Sequence, residues 1–306
     1  MKSPLHRGLI AAAAVGISAS LACAQSPTEA PNRPNPTWTD MQRMQSWATT
    51  KLAQSPRRQA WVTIQQGGRT LKGWVDFPSV RRKVPVVLVL HEVFGLTDST
   101  RNTADEIAAM GYVAITPDML SGFGPNGGDT ASFENSRAAS QTLTGLPDDA
   151  VNAELDAWAD YADHLRQSDG RLAIVGLSWG GGAAFRDAAT TRTDLKAVFV
   201  FYDVGPPAQT QGPADQRGPD AFPASRIRLP VYGFYGSKDT RVMQSLEAMR
   251  QAMQAAGKRY EPVVYEGADH AFMRVGEDPS NHDPADATAV RAARVRLQRL
   301  LRQTFK

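Results

Sequence analysis

Leu172-Ala173-Ile174-Val175-Gly176-Leu177-Ser178-Trp179-Gly180-Gly181 is the stretch that decides the architecture of this 306-residue chain. The four apolar residues read as a buried strand, and Ser178 between its glycines reads as the apex of a tight turn into a helix. Gly176 and Gly180 flank the serine in a Gly-x-Ser-x-Gly pattern, the nucleophile elbow that holds a hydroxyl exposed at a strand end. The helix expected from residue 181 to about 189 directs its positive end and first N–H groups toward that hydroxyl. A glycine-rich turn with an incidental serine would show the same five letters, so position and chain order have to decide.

Outward from this turn the pattern alternates between strands and helices. Val84–Leu90 is a continuous apolar run, as in a strand buried on both faces. Residues 60–64 and 70–77 are extended and joined around Gly67-Gly68 as a hairpin. Further strands are expected at 112–116, 195–202, 229–235 and 260–265, with helices at 38–53, 99–110, 148–167 and 242–256. A basic amphipathic helix closes the chain, with Arg291, Arg294, Arg296, Arg299 and Arg302 on its solvated side. Residues 118–147 read as one long glycine-containing loop, and 204–225 as a connection long enough to border a site. About eight strands with interleaved helices predict an α/β fold, a mainly parallel sheet covered on both faces.

A serine hydroxyl needs a base beside it, and the base needs an orienting carboxylate. Outside His6 the chain holds four histidines. His164 sits on a charged helix face, His282 in a loop with no partner nearby, and His91 at the end of a buried strand as a structural residue. His270, in the Gly267-containing loop after the last strand, is the expected base. Asp239, after the preceding strand, is the expected acid, with Asp203 the alternative; Asp269 is too close to His270 along the backbone. The order Ser178, Asp239, His270 is that of the α/β-hydrolases. An oxyanion hole needs two N–H donors, here expected from Trp179 and from Val93 in the loop after Val84–Leu90.

His91-Glu92-Val93-Phe94-Gly95, Arg101, Gly111-Tyr112, Pro117-Asp118, the elbow, Gly236-Ser237-Lys238-Asp239 and His270-Ala271-Phe272-Met273-Arg274 together resemble the dienelactone hydrolase family, in the family's order, over roughly residues 60–304. The resemblance implies an α/β-hydrolase fold and hydrolysis of carboxylic esters or lactones through an acyl-enzyme. Acyl transfer or peptide cleavage with the same residues is the alternative, and a non-catalytic binding module the remaining one. The chain departs from the family pattern at three points. Its best-known members carry cysteine where this chain has Ser178, and pair it at rest with the glutamate matching Glu92. They also grip a substrate carboxylate with two arginines, of which Arg274 matches one while Gly122 stands at the other. Glu92, Arg274 and Tyr202 are thus expected to bind substrate or to support the site.

The third departure is export. Lys2, His6 and Arg7, the apolar stretch 8–21 and Ala22-Cys23-Ala24 predict a signal peptide over 1–24, cleaved after Ala24 for the periplasm or medium. Lipid attachment at Cys23 is the alternative. A linker at 25–37 and one domain at 38–306 follow. The 34 basic and 31 acidic residues nearly balance, which excludes a basic nucleic-acid binder. The single cysteine, Cys23, allows no internal disulfide. No stable membrane insertion is expected after processing, and no metal or organic cofactor is implied, because no His/Cys/Asp cluster has ligand spacing. The expected partner is a small ester or lactone; the oligomeric state is not legible.

Overall fold

The computed structural model describes residues 36–204 and 224–306. The predicted leader, most of the 25–37 linker and most of the 204–225 connection lie outside these residues.

An eight-stranded sheet runs in the order β1-β2-β4-β3-β5-β6-β7-β8. β1 (Arg58–Gln66) and β2 (Arg69–Phe77) form the predicted hairpin. Its turn residues Gly67 and Gly68 take φ of 55° and 79°, the positive values a two-residue turn requires for both positions. β2 joins β4 (Val113–Pro117) antiparallel, and from there every pair is parallel: β3 (Val84–Leu90), β5 (Ser168–Leu177), β6 (Leu195–Phe201), β7 (Val231–Gly236) and β8 (Tyr260–Tyr265). The continuous apolar runs lie where burial is complete, since every residue of β3 and β7 is buried. β8, at the edge, is only half-buried.

Helices cover both faces. α3 (Asp98–Ala109) and α8 (Pro284–Thr304) pack on one face, around Ile107, Phe199, Phe272 and Leu297. α4 (Ser136–Thr144), α5 (Asp148–His164), α6 (Trp179–Asp187) and α7 (Thr240–Ala255) cover the other, around Leu88, Leu143, Trp158 and Met253. Parallel strands place all their C-terminal ends on one edge, so the loops after β3, β5, β7 and β8 gather there.

Two segments differ from expectation. The 38–53 helix is two helices, α1 (Trp38–Met44) and α2 (Ser46–Ala53), broken at Gln45, whose φ of −115° leaves the helical range. The expected loop at 118–147 contains α4, which Asn135 caps by accepting the Ala138 N–H at 3.0 Å. A polar side chain that satisfies a free helix-end donor starts a helix that the hydrophobic pattern alone does not announce.

Candidate active site

Ser178 stands between β5 and α6 with φ 52° and ψ −113°, a conformation rarely adopted outside glycine. Three hydrogen bonds hold it there. Ser178 N–H donates to Phe201 O on β6 at 3.0 Å, Gly180 N–H to His91 O at 3.2 Å, and Gly182 N–H to Ser178 O at 3.1 Å. The glycines are a packing necessity. A Cβ on Gly176 would lie 2.1 Å from Gly180 O, and one on Gly180 2.6 Å from Leu90 O.

β7 and β8 deliver the partners. Asp239 caps α7, its Oδ1 accepting Val242 N–H at 3.2 Å. Its Oδ2 accepts from His270 Nδ1 at 2.5 Å. Burial pushes the Asp239 carboxyl up, but the His270 bond and charge, the Val242 N–H and nearby Arg241 together hold it below its ordinary value. An ionised carboxylate only accepts, so Nδ1 carries the proton and Nε2 is left to accept the Ser178 hydroxyl, 3.0 Å away. The imidazole side chain is 36% exposed and Asp239 5%, so the carboxylate is sheltered while the imidazole stays open to solvent. Asp203, the alternative acid, is buried and accepts from Arg241 at 3.4 Å.

The His270 loop is tied on every side. Gly267 N–H donates to Ser237 Oγ at 2.8 Å, Lys238 N–H to Ala268 O at 2.9 Å, and Asp269 N–H to Asp286 Oδ1 at 2.8 Å. Tyr202 is fully buried, its ring 5.4 Å from that of His270 and its hydroxyl accepting Met273 N–H at 3.1 Å. It packs against the imidazole ring and has no exposed surface.

Trp179 opens α6 directly after the serine and Val93 lies in the loop after β3, and neither N–H has a hydrogen-bond partner among the described residues. Glu92 and Arg274, separated by 182 positions, form an ion pair, Nε–H to Oε2 at 2.8 Å. The Glu92 charge, outweighing burial, raises the Arg274 guanidinium further above its ordinary value. Arg274, expected to bind substrate or to support the site, thus has a carboxylate partner and is 27% exposed. Gly122 is covered by Arg69 of β2, whose Cδ would lie 3.0 Å from a Cβ there. The Arg69 guanidinium stacks 4.1 Å from the Phe123 ring centre and donates to Ser121 O at 2.9 Å and Glu154 Oε2 at 3.2 Å. Nothing in the sequence links Arg69 to Gly122 across 53 positions, so this neighbour was not predicted. His91 is fully buried, while His164 and His282 are exposed. Among the described residues, no His/Cys/Asp/Glu group could hold a metal, and no helix is long and apolar enough to cross a membrane.

This sheet order, with the serine on a sharp turn after β5 and the acid and base after β7 and β8, defines an α/β-hydrolase fold. Residues 71–305 match the sequence model of the dienelactone hydrolase family, and the chain belongs to that family. It is 35% identical over 193 residues to the protein of Salmonella typhimurium named "Putative carboxymethylenebutenolidase", covering 62% of this chain and 68% of that one. A Yersinia pestis protein of the same name is 31% identical over 218 residues, with 69% and 77% covered. Among solved structures, one titled "Putative Dienelactone Hydrolase" from Klebsiella pneumoniae superposes with a TM-score of 0.63 at 29% identity, covering 78% of this chain and 96% of that one. The chain is a hydrolase of this family.

Proposed function

We propose that the protein hydrolyses carboxylic esters or lactones through an acyl-enzyme on Ser178. The observation that carries this reading is the unbroken hydrogen-bonded chain Ser178 Oγ–His270–Asp239 at the open ends of the parallel strands. In it, Ser178 Oγ attacks the carbonyl carbon as its proton passes to His270 Nε2, and Asp239 stabilises the imidazolium. Val93 and Trp179 N–H groups hold the oxyanion, and the imidazolium returns its proton to the departing alkoxide. Water then attacks the acyl carbon, giving its proton to His270, and Ser178 leaves protonated. In a lactone the alkoxide stays attached to the acyl group, so one ring-opened acid is the product.

We further propose that neutral substrates are turned over at least as well as those bearing a carboxylate. Arg274 already has Glu92, Gly122 has no side chain, and Arg69 beside it is engaged by Glu154. Export after removal of residues 1–24 belongs to the same proposal, and rests on the sequence pattern alone.

The test is turnover of aryl esters and lactones, and fluorophosphonate labelling, by the wild type and Ser178→Ala. Loss of labelling and a fall in kcat by several orders of magnitude are expected for the variant. Near-normal turnover in Ser178→Ala would end the assignment. For charge, kcat/KM of one lactone acid and its methyl ester should differ by less than about tenfold. A preference for the acid above about a hundredfold, lost in Arg274→Ala, would overturn it.

A further inference from the structure

The loop Glu92–Gly95 that carries Val93 N–H is anchored at both of its ends to one other segment of the chain. At the leading end, His91 is fully buried and its imidazole uses both nitrogens: Nε2 accepts Met119 N–H at 3.1 Å, and Nδ1–H donates to Glu92 O at 2.8 Å. The same ring stacks on Trp179, centroids 5.9 Å apart and planes at 18°, and His91 O accepts Gly180 N–H. One residue thus touches both Trp179 and the loop of Val93, which carry the two proposed oxyanion donors. Burial pulls the imidazole down to about 4, so it stays neutral and serves as a fixed donor and acceptor.

At the trailing end, Leu96 N–H donates to Thr130 Oγ1 at 3.1 Å. Thr130 is itself held by buried Asp118, which accepts its hydroxyl at 2.5 Å and its N–H at 3.0 Å, as well as Leu120 N–H at 3.1 Å. Gly95 lies so close against Thr130, at φ 85°, that a Cβ would sit 2.3 Å from Thr130 Oγ1. Asp118 N–H in turn donates to Lys72 O at 2.9 Å, which joins the segment to β2.

We propose that residues 118–130 form a brace that sets the position of Val93 N–H, with His91 and Thr130 as positioning residues for oxyanion stabilisation. This rests on the acyl-enzyme reading above. The hydrogen bonds leave Val93 N–H itself unused while fixing the residues on either side of its loop. A donor fixed before the reaction stabilises the oxyanion with no reorganisation cost, so a small displacement lowers kcat with little change in substrate binding.

Thr130→Val keeps the shape of the side chain but removes the acceptor for Leu96 N–H and the donor to Asp118. Thr130→Ser restores both. His91→Phe keeps a ring against Trp179 and removes both hydrogen bonds. Each full-length variant is assayed on one aryl ester, with working serines counted by complete fluorophosphonate titration. In Thr130→Val and His91→Phe, kcat per titrated site should fall about 10- to 100-fold with KM within about threefold, and Thr130→Ser should lie within about threefold of wild type. The brace is overturned if kcat per titrated site is unchanged in Thr130→Val, if the loss falls on KM, or if the serine variant is as impaired as the valine one. Should His91→Phe not fold, the Thr130 pair decides alone. Activity retained by Ser178→Ala would overturn the acyl-enzyme reading itself, whatever the Thr130 variants do.

Discussion

Ser178 and His270 are positioned by two different kinds of physics. Around Ser178 the chain is crowded: Gly176, Gly180 and Gly181 each have backbone of a neighbouring element within 3 Å of where a Cβ would stand. β5 is buried on both faces from Leu172 onward, and the strained φ of the serine is fixed by contacts that leave no alternative. Around His270 the strand is a half-exposed edge, and the loop is placed by hydrogen bonds that Ser237 and Asp286 accept and that Lys238 N–H donates. Gly236 is crowded there against Ala268 O, and Gly267 in the loop itself meets the Ala285 side chain, 3.0 Å from where a Cβ would stand. Steric exclusion fixes the proposed nucleophile, whereas a polar network holds the proposed base.

The comparison is broken or sharpened by four measurements. The largest effect is expected at the acid. Asp239→Asn should lower kcat by up to about 10⁴-fold, because a neutral amide neither selects the Nδ1–H tautomer nor stabilises the imidazolium. If Asp203→Asn proves more damaging than Asp239→Asn, the base has a partner other than the one facing it.

Next comes Gly180→Ala, whose Cβ would meet Leu90 O at 2.6 Å and His91 O at 2.7 Å. Leu90 O belongs to β3 and His91 O accepts Gly180 N–H, so neither carbonyl withdraws without loss, and about 3 kcal/mol of stability should be lost in denaturant titration. A wild-type midpoint for this variant would refute the steric account of the nucleophile side.

Ser237→Ala removes one acceptor, that of Gly267 N–H, from the base loop. It should cost about 1 kcal/mol and leave kcat within about threefold of wild type. A stability loss larger than that of Gly180→Ala would reverse the contrast between the two regions.

The smallest effect is linked to pH. The Asp239 carboxyl is held below its ordinary value of 3.8 in the folded state, so the stability it contributes is fully present above that value. That contribution is lost as pH falls through the lower, folded value. The Tm gap between wild type and Asp239→Asn should therefore be constant from pH 5 to 8 and shrink below about pH 4. A gap that shrinks near neutrality would assign the linkage to another group.

Much of this molecule is written locally. The apolar runs of β3 and β5, the Gly67-Gly68 turn and the glycines around Ser178 determine strand, hairpin and elbow, because each depends on side-chain period or close backbone approach within a few residues. The chain order of Ser178, Asp239 and His270 was readable for the same reason, each residue following its own strand. Helix α4 was less legible, since its start depends on one Asn135 cap inside a polar stretch. What only the tertiary structure decided is which distant groups meet: Asp239 rather than Asp203 against His270, Glu92 against Arg274, Arg69 over Gly122, and Thr130 under Leu96. These partners lie on elements whose sequences carry no mark of one another. Each carboxylate or hydroxyl has several chemically suitable mates, and burial leaves it only the one that the sheet order brings within hydrogen-bonding distance.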